Sequence, residues 1–199
     1  MRIYGDLRSG NCYKVRLVCA MLGFDYEWVP IDILSRETRT EHFRGINPNE
    51  KIPALELPDG RCLWESNAII NYLARDSELL PKDAYDLAKV QQWQFFEQYS
   101  HEPNIAVARF IAVYLGRPQD KEAEYQSKQT GGHRALSVMN EELQRRKYFV
   151  GEAMTTADIS LYAYTHVAEE GGFDLSSYPA VTAWLERVSR QPGHVSMLY

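Results

Sequence analysis

Apolar and polar residues follow one rhythm in the first third of this chain and another in the rest. Arg2-Ile3-Tyr4 reads as a short strand ended by Gly5. Val15, Val18, Cys19 and Leu22 then stand at i, i+3, i+4 and i+7, the stripe of a helix from Asn11 to Leu22, with Gly23 placed to cap it. Tyr26 to Ile31 returns to a strand, and Pro30 marks an edge or a bulge. A strand, a helix and a strand this close form a βαβ unit, which requires parallel strands and a right-handed crossover. Ser35 to Arg44 is polar and weakly helical. Ile52 to Leu57 and Arg61 to Trp64 flank a Pro58-Asp59-Gly60 turn and predict a hairpin. Glu65-Ser66-Asn67 opens a further helix, with Ile69, Ile70, Tyr72 and Leu73 on its apolar face.

Past the acidic, proline-containing stretch Asp76 to Asp83, strand patterns stop. A long helix is predicted from Ala84 to about Leu115, kinked or divided at Pro103. Others follow at Glu122 to Arg146, weakened at Gly131-Gly132, at Thr155 to Glu169 and at Pro179 to Arg190. Met154-Thr155-Thr156-Ala157-Asp158-Ile159 is a capping box with Asp in the acidic position, flanked by a hydrophobic staple; its expected role is to start a helix. The pattern divides the chain into an α/β domain over residues 1–76, in the order βαβ-α-ββα, and an all-helical domain over residues 84–199.

Bulk properties narrow the functions. With 45% hydrophobic and 25% charged residues, the 199-residue chain has the balance of an ordinary globular protein. The net charge is −5 and the densest basic run is Arg145-Arg146-Lys147, so nucleic acid is not an expected partner. No stretch reaches the ~20 apolar residues of a membrane span, and MRIYGDLRSG lacks the apolar segment of a signal peptide. Three cysteines, Cys12, Cys19 and Cys62, without metal-site spacing, fit a reducing compartment and predict no metal.

Four segments carry a resemblance: SGNCYKVRL after the first strand, NPNEKIPAL before the hairpin, WESNAIINYL at the last helix of the small domain, and GEAMTTADISL in the helical half. Together they make the chain similar, over almost its whole length, to the cytosolic glutathione transferases. The resemblance implies a thioredoxin-like N-terminal domain, an all-α C-terminal domain, a cytoplasmic homodimer, and glutathione as co-substrate. SGNCYKV is also similar to the T-x-N-G-x-K-V pattern of nu-type bacterial and related fungal-type members.

The implied chemistry is attack by the glutathione thiolate on a small electrophile. A free thiol has a pKa near ~8.5, and lowering it by about two units requires roughly 3 kcal/mol of preferential stabilisation of the anion. Neutral hydrogen-bond donors and a helix N-terminus can supply this. The resemblance places Ser9 or Asn11 there as donor, with Ser9 favoured. The nucleophilic cysteine of omega-type members stands in the place of Ser9 and that of beta-type members matches Asn11, so Cys12 aligns with neither and is expected to pack. Tyr4 is also expected to pack. Ile52-Pro53 matches the family's cis proline, which offers the Ile52 backbone to the ligand. Ser66 and Glu65 would take the γ-glutamyl carboxylate and ammonium, and Lys51 the glycyl carboxylate. Glu50 stands where several classes place a His or Gln. Tyr99, His101 and Arg109 on the long helix are candidates for the electrophile pocket. Two other readings remain: peroxide or disulfide reduction by glutathione at the same site, and a non-enzymatic interaction protein of this fold.

Overall fold

The computed structural model describes residues 1–197 and divides into two compact units. The first contains residues 1–80 and the segment from Pro192 onward; the second runs from Pro81 to Gln191.

In the first unit β1 (Arg2–Gly5), β2 (Glu27–Pro30), β3 (Ala54–Glu56) and β4 (Cys62–Trp64) form a mixed sheet in the order β2-β1-β3-β4. β1 runs parallel to β2 and antiparallel to β3, and β3 pairs with β4 through the hairpin. The β1–β2 crossover is α1 (Gly10–Leu22), and α3 (Ser66–Ala74) packs against it. The polar stretch predicted as one weak helix is two pieces: a 3-10 turn at Glu37–Arg39 and α2 (Glu41–Ile46). Thr40 is extended between them, and its hydroxyl accepts the Phe43 amide at 3.2 Å as the cap of α2. Ser9 caps α1, and Gly23, at φ 68°, closes it in the left-handed region that glycine adopts without strain.

The expected stripe of α1 is buried at Val15, Val18 and Cys19, but so are Tyr13, Lys14, Arg16 and Leu17. The C-terminal segment is one reason. The Tyr13 hydroxyl donates to the Val195 carbonyl at 2.8 Å and lies 3.2 Å from His194 Nε2, and Arg16 donates to the Met197 carbonyl at 3.1 Å. The helical domain expected over residues 84–199 therefore ends at Gln191. Val195 and Met197 beyond it give their backbone carbonyls to α1, a pairing that no local pattern announces.

The second unit is helical: α4 (Ala84–Phe96), α5 (Glu102–Arg109), α6 (Glu122–Leu143), α7 (Thr156–Thr165) and α8 (Pro179–Ser189). The long helix predicted to Leu115 is continuous in path but changes winding twice, at the π turns Glu97–His101 and Phe110–Tyr114. Pro103 sits in the first turn of α5 and brings no N–H to the ladder. The wider turn just before it closes instead with Glu102 N–H donating to the Glu97 carbonyl. Gly131 and Gly132, the predicted weak point of α6, are places of close packing: a Cβ on Gly131 would strike the Asn104 side chain and one on Gly132 the Phe173 ring. Around the buried Trp184, Phe149 and Tyr162 make aromatic contacts at 5.2 and 6.0 Å between centroids. The capping box forms as expected. One Asp158 oxygen accepts the Thr155 amide at 2.9 Å, and the other accepts Trp184 Nε1 at 2.9 Å and the Phe149 amide at 3.2 Å.

Candidate functional site

The site is built where β1 gives way to α1. Ser9 donates its amide to the Asp6 carbonyl at 3.0 Å and turns its hydroxyl oxygen toward the Cys12 amide at 3.4 Å. Cys12 stays beside Ser9, its thiol sharing a side-chain hydrogen bond with it. Its sulfur lies under Gly5, so close that a Cβ on Gly5 would come within 2.6 Å of it. Complete burial pushes the Cys12 thiol up to about 12, the reverse of what a nucleophilic cysteine needs. Cys19 is likewise raised to about 12 by burial. Tyr4 packs edge-on against Phe43 and donates its hydroxyl to Glu56 at 2.6 Å. Both residues are thus occupied in packing, as the sequence suggested.

Asn11, the second residue of α1 and half-buried, reaches the N-terminus of α3. Its Oδ1 accepts the Ser66 hydroxyl at 3.2 Å, and Ser66 in turn accepts Lys14 Nζ at 3.2 Å. Two helix N-termini therefore converge on one spot, and each contributes positive potential and backbone N–H groups. Just before α3, Glu65 adopts φ 68° and ψ 109°. Positive φ in a non-glycine residue costs about 1–3 kcal/mol and persists only where surrounding structure enforces it.

The segment between α2 and β3 wraps onto this corner. The buried Asn47 side chain donates to the Lys51 carbonyl at 2.6 Å and accepts the Asn49 amide at 2.9 Å. Asn49 donates to the Glu65 carboxylate at 3.5 Å. The Ile52–Pro53 peptide bond is cis. Ile52 packs on the cluster of Tyr4, Phe43, Ile46 and Ala54, while Lys51 is exposed. Glu50 is turned to Arg44 at 2.7 Å and Arg39 at 3.8 Å.

Sequence-predicted residues are thus joined in two places, Asn11 with Ser66 and Glu65 with the loop that carries Lys51 and Ile52. The candidates on the long helix separate. His101 is fully buried, with Nε2 2.8 Å from the Thr165 hydroxyl. Arg109 is 2% exposed and donates to Glu170 at 2.7 Å. Both face the interior of the helical unit, because α7 and the 3-10 turn Ala168–Gly171 pack over that side. Tyr99 is 88% exposed. Lys14 had no role assigned from the sequence. The signal available was its i, i+3 relation to Asn11, which places both on one face of α1.

The family model of the glutathione S-transferase N-terminal domain matches residues 1–75, and that of the C-terminal domain matches residues 104–192. A glutathione S-transferase-like protein of Fusarium is 31% identical, over 94% of this chain and 87% of its own length. This chain belongs to the glutathione S-transferase family. Among solved structures, a glutathione S-transferase from Pseudomonas fluorescens Pf-5 is 57% identical, with a TM-score of 0.98 over 100% of this chain and 98% of that one. A glutathione transferase of Phanerochaete chrysosporium, solved with oxidised glutathione, is 25% identical, with a TM-score of 0.86 over 96% of this chain and 90% of that one. The family's two-part organisation agrees with the mixed sheet and helical bundle described above. Among the described residues no helix of this transferase is long and apolar enough to cross a membrane.

Proposed function

We propose that this protein holds glutathione at the junction of α1 and α3 and activates its thiol for attack on small electrophiles. The observation that carries the reading is the Ser66–Asn11 hydrogen bond, which ties a thiol-donor candidate to the helix end suited to a carboxylate. Ser9 and Asn11 are the donors to the sulfur. The α3 N-terminus at Ser66 takes the γ-glutamyl carboxylate, and the exposed Glu65 takes the ammonium. The Ile52 backbone pairs with the cysteinyl backbone like an added strand, and Lys51 meets the glycyl carboxylate. In the reaction the sulfur anion forms the new C–S bond, the acceptor's leaving group departs with its electron pair, and the thiol proton passes to solvent. The buried positions of His101 and Arg109 remove them from the acceptor side of this reading.

Turnover of glutathione with chlorodinitrobenzene tests it. Losing one donor to an anion costs about 1.5–3 kcal/mol, so Asn11→Ala or Ser9→Ala is expected to lower kcat/KM about 10- to 100-fold. Full activity in both variants would overturn the site. The Phanerochaete relative with oxidised glutathione favours a second reading, reduction of disulfides or peroxides by glutathione at the same corner. Hydroperoxide or mixed-disulfide turnover exceeding conjugation would select it. We place the protein in the cytoplasm, where free thiols such as Cys12, Cys19 and Cys62 persist.

We further propose a homodimer. The exposed Tyr99 and Val138 line a groove of about 380 Å³ with Phe96, Asn104 and Arg134, and Phe95, one turn before Tyr99, is 67% exposed. Apolar side chains gathered in this way are suited to cover by a second copy.

A further inference from the structure

Asn47, the residue that closes α2, is 1% exposed. Its backbone N–H donates to the Phe43 carbonyl at 2.8 Å, and its other polar groups turn to the loop that follows. The side-chain Oδ1 accepts the Asn49 amide at 2.9 Å, the backbone carbonyl accepts the Glu50 amide at 3.1 Å, and Nδ2 donates to the Lys51 carbonyl at 2.6 Å. Three consecutive residues are thus bonded to one buried asparagine. One side-chain partner is an N–H and the other a carbonyl, so the Asn47 amide has a single orientation. The middle residue of the three, Glu50, has φ 55°, a left-handed conformation that a side chain makes costly and that the surroundings must enforce. Its carboxylate meets Arg44 at 2.7 Å and Arg39 at 3.8 Å. Lys51 keeps an exposed side chain on this fixed backbone.

We infer that Asn47 is a positioning residue for the glycyl half of glutathione: by holding Asn49, Glu50 and Lys51 in one path it presents Lys51 to the glycyl carboxylate, and so gives the site its preference for the tripeptide over γ-glutamyl thiols that lack the glycine. The inference rests on the proposed glutathione site. Asn47 is buried and acts through Lys51. Ordering a long, exposed lysine on a ligand costs conformational entropy. A backbone fixed beforehand removes part of the ordering cost before the ligand arrives. The Nδ2 bond is the specific one, because it ends on Lys51 itself, while Ile52 beyond it meets the cysteinyl part. A fault passed on to Ile52 weakens every γ-glutamyl thiol alike. A fault at Lys51 is felt only by ligands that carry the glycine.

The test compares glutathione with γ-glutamylcysteine, the same thiol without its glycine, by calorimetry on the wild-type protein and on Asn47→Asp. Aspartate keeps the shape and the oxygen that accepts the Asn49 amide, but sets a carboxylate oxygen against the Lys51 carbonyl. The ratio of the two affinities is the readout, because a general loosening weakens both ligands and cancels. The expected result is a wild-type preference for glutathione that falls about tenfold in Asn47→Asp near about pH 8. The KM for glutathione rises by a similar factor. The kcat at saturating glutathione and the midpoint of the bound thiol stay at wild-type values, since the donors Ser9 and Asn11 belong to α1. Lowering the pH toward about 5 protonates the new carboxyl, whose pKa burial beside a carbonyl raises. The acid again donates to Lys51, and the ratio recovers. A residue that merely supports the fold would lower the melting temperature and leave the ratio in place. Should Asn47→Asp not fold, nuclear magnetic resonance of the wild-type protein decides: the Asn47 side-chain amide and the Asn49, Glu50 and Lys51 backbone amides shift more with glutathione than with γ-glutamylcysteine. The inference is overturned if the wild-type protein shows no preference, if a folded Asn47→Asp keeps the wild-type ratio or fails to recover it at low pH, or if those resonances respond equally to both ligands. A wild-type protein that binds neither thiol would instead remove the site itself.

Discussion

Glu65 shows most directly how much of this site is a matter of single residues. Its φ of 68° is unusual for a residue with a side chain, and it immediately precedes the helix end proposed to hold the γ-glutamyl group. Glycine tolerates that conformation without steric cost. Replacing Glu65 by Gly should relieve about 1 kcal/mol of strain while removing the partner of the ligand ammonium. The expected outcome is an unchanged or raised melting temperature together with glutathione affinity about tenfold weaker or worse by calorimetry. A variant that binds as tightly as the parent would show that the strain is held for some other reason. The roles proposed for the Ser9, Asn11, Glu65 and Ser66 side chains came from the family resemblance, while the helix starts that hold them were legible in the sequence because caps have a local signature. Lys14 was not, since a lysine's burial depends on what covers it. The inward placement of His101 and Arg109 was hidden for the same reason: a helical pattern gives faces, and only packing says which faces are wet.

At the scale of elements, the capping box before α7 is the most completely formed device. Its Asp158 carboxylate is fully buried and accepts from Thr155, Phe149 and Trp184, so one side chain ties a helix start to an upstream loop and to α8. Burial nevertheless raises Asp158 from 3.8 to about 6. The native state thus binds this proton more tightly than the unfolded chain does. The stabilising contribution of protonation is present below about pH 4, declines as pH rises through about 6, and is flat above that. Asp158→Asn lacks the titration. Urea unfolding should find the variant less stable by about 1–3 kcal/mol near neutral pH, from mispaired donors at the cap. The gap between parent and variant should widen by on the order of 2 kcal/mol toward about pH 4. A gap independent of pH would mean that the carboxylate stays ionised throughout. The winding of the α4–α5 run marks the limit of element-level prediction. Pro103 announced an interruption, but whether it appears as a kink, a break or a π turn depends on which wider hydrogen bond the backbone can find.

For the whole molecule, the proposed dimer is the feature to measure. Light scattering should give twice the mass of the 199-residue chain. Tyr99→Asp combined with Phe95→Asp should shift the protein to monomer while each chain keeps its helical circular dichroism, because a charge on a covered apolar face is left unpaired. A parent that is already monomeric, or a double variant that remains dimeric, would place the contact elsewhere or nowhere. Sequence by itself determined the class of both units, the order of strands and helices, the caps, and the family, because periodicity, turn chemistry and short motifs are local properties. Only the tertiary structure decided that residues following Gln191 return to α1, that Lys14 and Arg109 are buried, and that Asn11 meets Ser66. The physical reason is shared. Each of these facts is a pairing between groups distant along the chain, set by how hydrophobic surfaces close, and a one-dimensional pattern records a residue's own preference but not the partner that arrives to satisfy it.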